Sequence, residues 1–270
     1  MHPILARFGE VTFYTYGFVM MATLFLIYFL ALKYRDTELL ERADLADISL
    51  LVVFSIWFGG GLLWLLLSGE FSLTNLRHQL DPARLQNLTT LPVASSFFVL
   101  LAGYCRWKRL PFWRVLDFLV PFFVFGYALQ RTFGCFSAGC CHGTPTTLPW
   151  GVTFGDTLGV GPPAGVVVHP TQLYMGFAGL ASAYGLMRGY WRWKCWPGFV
   201  TGLGTVALFG VYFVVSNWRG DLTSEKIGLG LESSQIVSLL LTALGGSLCV
   251  VARWRARREP FEGEKTALND

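Results

Sequence analysis

The chain has 270 residues, 53% of them hydrophobic and 16% aromatic, with only 14% charged, and its mean hydropathy is +0.49. That composition is too apolar for an ordinary soluble domain and implies a polytopic membrane protein. The formal net charge of +4 could point to nucleic acid, but the basic residues lie in connections between apolar stretches, where they report topology, so nucleic acid is not expected as a partner.

Crossing a hydrocarbon core of roughly 30 Å takes about 20 helical residues. Seven stretches qualify, near 12–32, 48–68, 91–105, 115–133, 170–190, 196–216 and 233–252, and predict an all-α membrane domain over 1–252. The first opens on Tyr14 and Tyr16 and lacks the small-residue site of a cleaved signal peptide, so it is expected to stay as a membrane helix. After it, "RDTELLERADLADIS" reads as a short amphipathic surface helix or a solvated connector. The third stretch, "LPVASSFFVLLAGYC", is short and begins at Pro92. Two connections are long: 69–90 is polar, and 134–169 is rich in Gly and Pro. Phe133, Phe136, Trp150 and Phe154 among the turn residues of the second suit a folded plug over a cavity, because irregular backbone at membrane depth must be buried in protein or line a wet space. Residues 253–270 form a basic end and a tail, "REPFEGEKTALND", of disordered composition.

With seven spans the connections alternate sides. Fifteen of the 21 Lys and Arg then fall on one side, among them Lys33, Arg106, Arg114, Arg192 and Arg253, against six on the other, Arg7, Arg77, Arg84, Arg131, Arg219 and Lys226. The asymmetry predicts the N-terminus outside, the C-terminus in the cytoplasm and the 134–169 loop outside. Trp107, Trp113, Trp191, Trp193, Trp196 and Trp254 collect at the inferred cytoplasmic interface, where amphipathic rings prefer to sit.

Four polar groupings interrupt the apolar pattern. Arg131 follows an apolar helix with no acid nearby in sequence; it is either a snorkelling cation or, with the glycines after it, a site for a lipid phosphate. "GCFSAGCCHG", 134–143, places Cys135, Cys140, Cys141 and His142 together, but the spacing is not C-x-x-C and no second pair follows, so packing thiols, a disulfide and a soft-metal site all stay open. "HPTQLY", 169–174, brings His169, Gln172 and Tyr174 to the start of a membrane helix, and imidazole can serve there as acid, base or donor. "NWRGD", 217–221, sets Arg219 beside Asp221, either as a local ion pair or as part of a site.

The order of these motifs resembles the bacterial prolipoprotein diacylglyceryl transferase family. "HPILARFGEVTFYTYGFVM" is similar to its N-terminal segment, with Tyr16 and Gly17 in the first helix. "QRTFGCFSAGCCHGTPTTLPWGVTF" is similar to its signature around an arginine and a glycine turn, "HPTQLY" to its His-Pro-Ser/Thr-Gln-Leu-Tyr-Glu motif, and "WRGD" with "LESSQIVSLL" to its last two helices. The likeness runs from about residue 3 to 252. It implies a multi-pass bacterial inner-membrane enzyme without cofactor or resident metal. Such an enzyme moves a diacylglyceryl group from phosphatidylglycerol to the lipobox cysteine thiol in the signal-peptide region of a preprolipoprotein. Arg131, His169 and Tyr16 are the catalytic candidates it implies. Gly134, Gln172, Tyr174, Arg219 and Asp221 are the substrate-binding ones, facing phosphatidylglycerol and other membrane lipids.

The chain also departs from that pattern. "NLTTLPVASSFF" stands where the family carries a His-Gly-Gly stretch, Gly61 where it has an arginine in the second helix, and Met175 where it has a glutamate. The sixth helix ends "YFVVSNWRGD", without the arginine and glutamate expected ahead of it. One extra residue separates Arg131 from Gly134, so Arg131 or Thr132 takes the family's arginine position. Three readings follow: an active transferase of a divergent branch with His169 or His78 as base, a homologue that binds lipid or lipoprotein as a membrane-complex partner without transfer, or a thiol or soft-metal membrane protein.

Overall fold

The structure is a computed structural model that describes residues 3–9, 11–56, 72, 90–155, 157, 161–194, 196–221, 226–227 and 230–258. The later part of the expected 48–68 span with Gly61, nearly all of the 69–90 connection with Arg77, His78 and Arg84, Cys195, and the tail from 259 lie outside these residues.

An antiparallel hairpin, β1 (Ile4–Phe8) with β2 (Val11–Tyr14), feeds α1 (Thr15–Lys33). Then come α2 (Arg42–Phe54), α3 (Thr90–Lys108) and α4 (Phe112–Leu129), the last running on through a π-helical turn, Gln130–Cys135, and a single α turn, Phe136–Ala138. A two-residue pair, β3 (Val152–Thr153) against β4 (Val167–Val168), precedes α5 (Thr171–Trp193). The chain closes with α6 (Phe199–Ser216), the pair β5 (Lys226–Ile227) and β6 (Leu231–Glu232), and α7 (Ser233–Arg258). The protein is thus mainly helical. Four segments, Thr15–Lys33, Phe112–Ala138, Phe199–Ser216 and Ser233–Arg258, are long and apolar enough to cross a membrane. They coincide with four of the seven expected spans, and the 91–105 and 170–190 stretches are helical as α3 and α5. Exposed Phe25, Phe29, Val99, Phe177, Leu240 and Val250 give the helices the apolar outer surface that lipid accepts and water does not.

The chain forms two compact units, 1–23 with 116–270, and 24–115. In the first, α6 and α7 meet through glycines: a Cβ on Gly202 would lie 2.7 Å from the Gly245 carbonyl, and one on Gly245 would lie 2.8 Å from that of Gly202. Between helices already in lipid the hydrophobic effect supplies little, so such backbone approach is what holds them together. Buried Asp117 accepts from the Gly198 and Thr201 amides at 2.6 and 2.7 Å and from the Thr201 hydroxyl at 2.6 Å. It satisfies amides that the start of α6 leaves without helical partners.

In the second unit the 35–49 segment corrects the sequence reading. It is neither a separate surface helix nor a solvated connector: α2 starts at Arg42, six residues ahead of the expected span, and Asp36, Leu39, Leu40, Asp44 and Leu45 are buried. The reason is pairing with α3. The Tyr104 hydroxyl lies 2.8 Å from Asp44 Oδ1 and 2.9 Å from Asp47 Oδ2, and Lys108 Nζ is 3.8 Å from Asp44. Asp44 also caps the helix through the Glu41 amide at 2.9 Å.

Candidate active site

The site begins where α4 changes pitch. A π-helical turn, whose hydrogen bonds reach one residue further than those of an α-helix, runs from Gln130 to Cys135. Arg131 lies over the Tyr127 ring, 4.9 Å from guanidinium carbon to centroid. Its Nη1 donates to Cys141 Sγ at 2.8 Å and stands 3.9 Å from Cys135 Sγ. Thr132 instead bonds back to the Ala128 carbonyl at 2.9 Å and packs on Gly176 of α5, so Arg131 is the residue that faces the loop. Among the described residues no carboxylate pairs with it. It is held between an aromatic ring and a sulfur. The Tyr127 hydroxyl donates to Met175 Sδ at 3.5 Å, so Met175 packs beneath the same ring. Gln130 Nε2 reaches the Tyr16 carbonyl at 3.5 Å, which ties the start of α1 to this turn, and Tyr16 stays within electrostatic reach of Arg131, Cys135 and Cys140. Gly134 is buried, with the Gln130 amide where a side chain would go.

Gly139, at φ 78°, ends the helical run, and Cys141, at φ 60°, takes the same left-handed form, uncommon for a residue with a side chain. Two fully buried residues of α5 hold this turn from behind. Gln172 Nε2 donates to the Cys140 carbonyl at 2.8 Å, and the Thr171 hydroxyl donates to that of Cys141. Cys135, Cys140 and Cys141 are free thiols. Hydrogen bonds from the Cys135 and Cys140 thiols, then the charges of Arg131 and Arg219, outweigh burial and hold the Cys141 thiol well below its ordinary value. Cys140 is pushed the other way, its proton shared with Cys135 and Cys141 and its charge opposed by burial.

Three strands of loop backbone then lock together. Gly143 N–H donates to the His169 carbonyl at 2.9 Å, His169 N–H to Thr144 at 3.0 Å, Thr144 N–H to Trp218 at 2.7 Å, and Gly220 N–H to His142 at 2.9 Å. Only a glycine fits at 143, since a Cβ there would collide with His169 and lie 2.9 Å from the Trp218 carbonyl. This knot brings "HPTQLY" and "WRGD" to the cysteine turn. His169 Nδ1 is 3.2 Å from the Tyr174 hydroxyl, which accepts from Trp150 Nε1 at 2.9 Å. Arg219 grips Asp221 with two bonds, 2.9 and 2.6 Å, and donates to the Tyr212 hydroxyl at 3.0 Å. The pair is more than an exposed local bridge, because the Arg219 side chain is only 8% exposed. Burial opposes the Arg219 charge, and Asp221 and Cys141 more than restore it.

Of the residues singled out from sequence, Arg131, Gly134, His169, Tyr174, Arg219 and Asp221 are joined to the cysteine turn by these contacts, with Tyr16 at its edge. Gln172 is entirely buried and touches the turn's backbone. Trp150, Tyr127 and Tyr212 also belong to the site. Sequence reasoning assigned Trp150 only to the folding of the loop, because an exposed tryptophan near a membrane surface has an ordinary explanation. One guanidinium bonded to the Cys141 sulfur and a second whose charge reaches it, beside a histidine–tyrosine pair, can bind an anion and move a proton next to it.

A family profile described as prolipoprotein diacylglyceryl transferase matches residues 3–251. The chain is similar to phosphatidylglycerol–prolipoprotein diacylglyceryl transferases of three bacteria. With that of Clostridium tetani it is 33% identical over 153 residues, spanning 56% of this chain and 59% of the relative. With that of Finegoldia magna it is 27% identical over 85% of this chain and 87% of the relative, and with that of Cupriavidus pinatubonensis 27% identical over 99% and 96%.

Proposed function

Because the chain belongs to the prolipoprotein diacylglyceryl transferase family, we propose that it transfers a diacylglyceryl group from phosphatidylglycerol to the lipobox cysteine in the signal-peptide region of a preprolipoprotein. The observation that carries this reading is Arg131, a cation without a carboxylate partner among the described residues, set with Arg219 around one turn. The bond that forms joins the acceptor sulfur to the glyceryl carbon, and the bond that breaks is that carbon's ester link to phosphate. Glycerol phosphate leaves with added negative charge; Arg131 is the donor offered to it and the nearby charge of Arg219 adds to the attraction. His169 takes the acceptor thiol's proton: in the tautomer whose Nδ1–H donates to the Tyr174 oxygen, Nε2 is left to accept it, and Trp150 donates to the same oxygen and fixes the ring pair. Asp221 and Tyr212 hold Arg219, Gly134 and Tyr16 border Arg131, and Gln172 positions the turn from behind.

The surrounding arrangement follows from the same reading. Seven spans form one membrane domain through residue 252 of a bacterial inner-membrane protein, with the N-terminus outside, the basic end in the cytoplasm and the 134–169 loop over an outer lipid cavity. Met175 at the family's glutamate position favours a second reading, a homologue that holds phosphatidylglycerol without transfer. Protein in nanodiscs, given phosphatidylglycerol and a lipobox peptide, separates the two: a diacylglyceryl mass increase on the peptide with release of glycerol phosphate supports transfer, and bound lipid without product supports the second.

A further inference from the structure

Three sulfurs converge in this site, and the transfer reaction uses none of them. Cys135 closes the π turn, Cys140 and Cys141 follow the left-handed Gly139, and their Sγ atoms all lie within 4.8 Å of one another. All three are free, Cys135 buried and the other two half-buried. Thiolates bonded to a d10 ion at about 2.3 Å stand roughly 4 Å apart around it, so bringing these three onto one ion takes about 1 Å of sulfur movement or less. We propose that Cys135, Cys140 and Cys141 form a three-thiolate site for a thiophilic d10 cation, of the class of Cu(I), Zn(II) and Cd(II).

Two further observations support the assignment. A trithiolate around a monovalent or divalent ion keeps a net negative charge, and a counter-cation is already in place: Arg131 Nη1 is 2.8 Å from Cys141 Sγ and 3.9 Å from Cys135 Sγ. The donor turn is also held before any ion arrives. Thr171 and Gln172, both fully buried, fix the carbonyls of Cys141 and Cys140. An all-sulfur set selects soft ions over Mg(II) or Ca(II). Binding forms three metal–sulfur bonds and releases the thiol protons to water, with no change of oxidation state. The resulting anion occupies Arg131, so on the transferase reading above a bound ion competes with the lipid phosphate.

The test is a cadmium titration of the full chain in detergent, with thiols reduced and the reductant removed, following thiolate-to-cadmium charge-transfer absorbance. The Cys105→Ser, Cys195→Ser, Cys249→Ser variant isolates the cluster. One saturable equivalent per chain is expected in that background, with three sulfur neighbours by X-ray absorption, and the band is lost when Cys140→Ser is added. No saturable band, fewer than three sulfurs, or a band that survives Cys140→Ser overturns the proposal. X-ray absorption needs no cluster variant, so misfolding of Cys140→Ser leaves the sulfur count decisive. Inhibition of lipid transfer by cadmium, reversed by a chelator, tests the competition at Arg131. A chain that makes no product but binds one cadmium through three sulfurs contradicts the transferase reading and leaves the metal site standing.

Discussion

Arg131 makes its neighbours unlike ordinary residues of their type, and Cys141 is the most accessible consequence. Hydrogen bonds from Cys135 and Cys140 and the charges of the two arginines hold its thiol well below the ordinary range. Alkylation of Cys141, followed by peptide mass spectrometry across pH, is therefore expected to reach its plateau below the pH at which a free thiol titrates, about 8.5. Arg131→Ala removes a stabilising charge and moves that onset upward; an unchanged profile contradicts the pairing. Trp150→Phe removes one hydrogen bond to Tyr174, worth about 0.5–1.5 kcal/mol, so kcat for transfer should fall about 2- to 10-fold with little change in KM. Arg131, His169, Tyr174 and Arg219 were legible because a polar group in so apolar a chain is costly and stands out. Spacing does not say which side a residue faces: in the same motif the Gln172 amide turns to the Cys140 carbonyl. Trp150 was hidden among aromatics that a membrane interface explains equally well.

At the scale of elements, the apolar stretches marked the helices, while their ends and irregularities followed tertiary pairing. The start of α2 at Arg42 depends on Tyr104 and Lys108 of α3, some sixty residues away, which no local pattern reports. The π turn, and with it Arg131 facing the loop while Thr132 bonds back to Ala128, is visible only in three dimensions. The crossing of α6 and α7 was not anticipated either, since Gly202 and Gly245 matter only as a pair. Gly245→Val should overpack it and cost about 1–3 kcal/mol, read as a lower melting temperature in detergent, whereas Gly246→Ala on the same helix, which has nothing near its missing side chain, should cost less.

For the whole molecule, composition and the distribution of charge were enough for the class, a helical membrane protein, because lipid admits few alternatives. The same charge asymmetry leads to the proposed orientation. A cytoplasm-dependent reporter fused after Arg258 should be active, and an impermeant thiol reagent applied outside should reach Cys141; the opposite pattern reverses the topology. On the proposed reading, proton transfer falls to His169 and charge stabilisation to Arg131 and Arg219. The most direct measurement is mass spectrometry of a lipobox peptide incubated with the protein and phosphatidylglycerol in nanodiscs, with Arg131→Ala and Cys140→Ser alongside. We expect a diacylglyceryl mass increase and glycerol phosphate release, reduced about 10²–10³-fold by Arg131→Ala and largely kept by Cys140→Ser. No mass increase from protein that retains bound phosphatidylglycerol, or equal product from Arg131→Ala, would contradict the central claim.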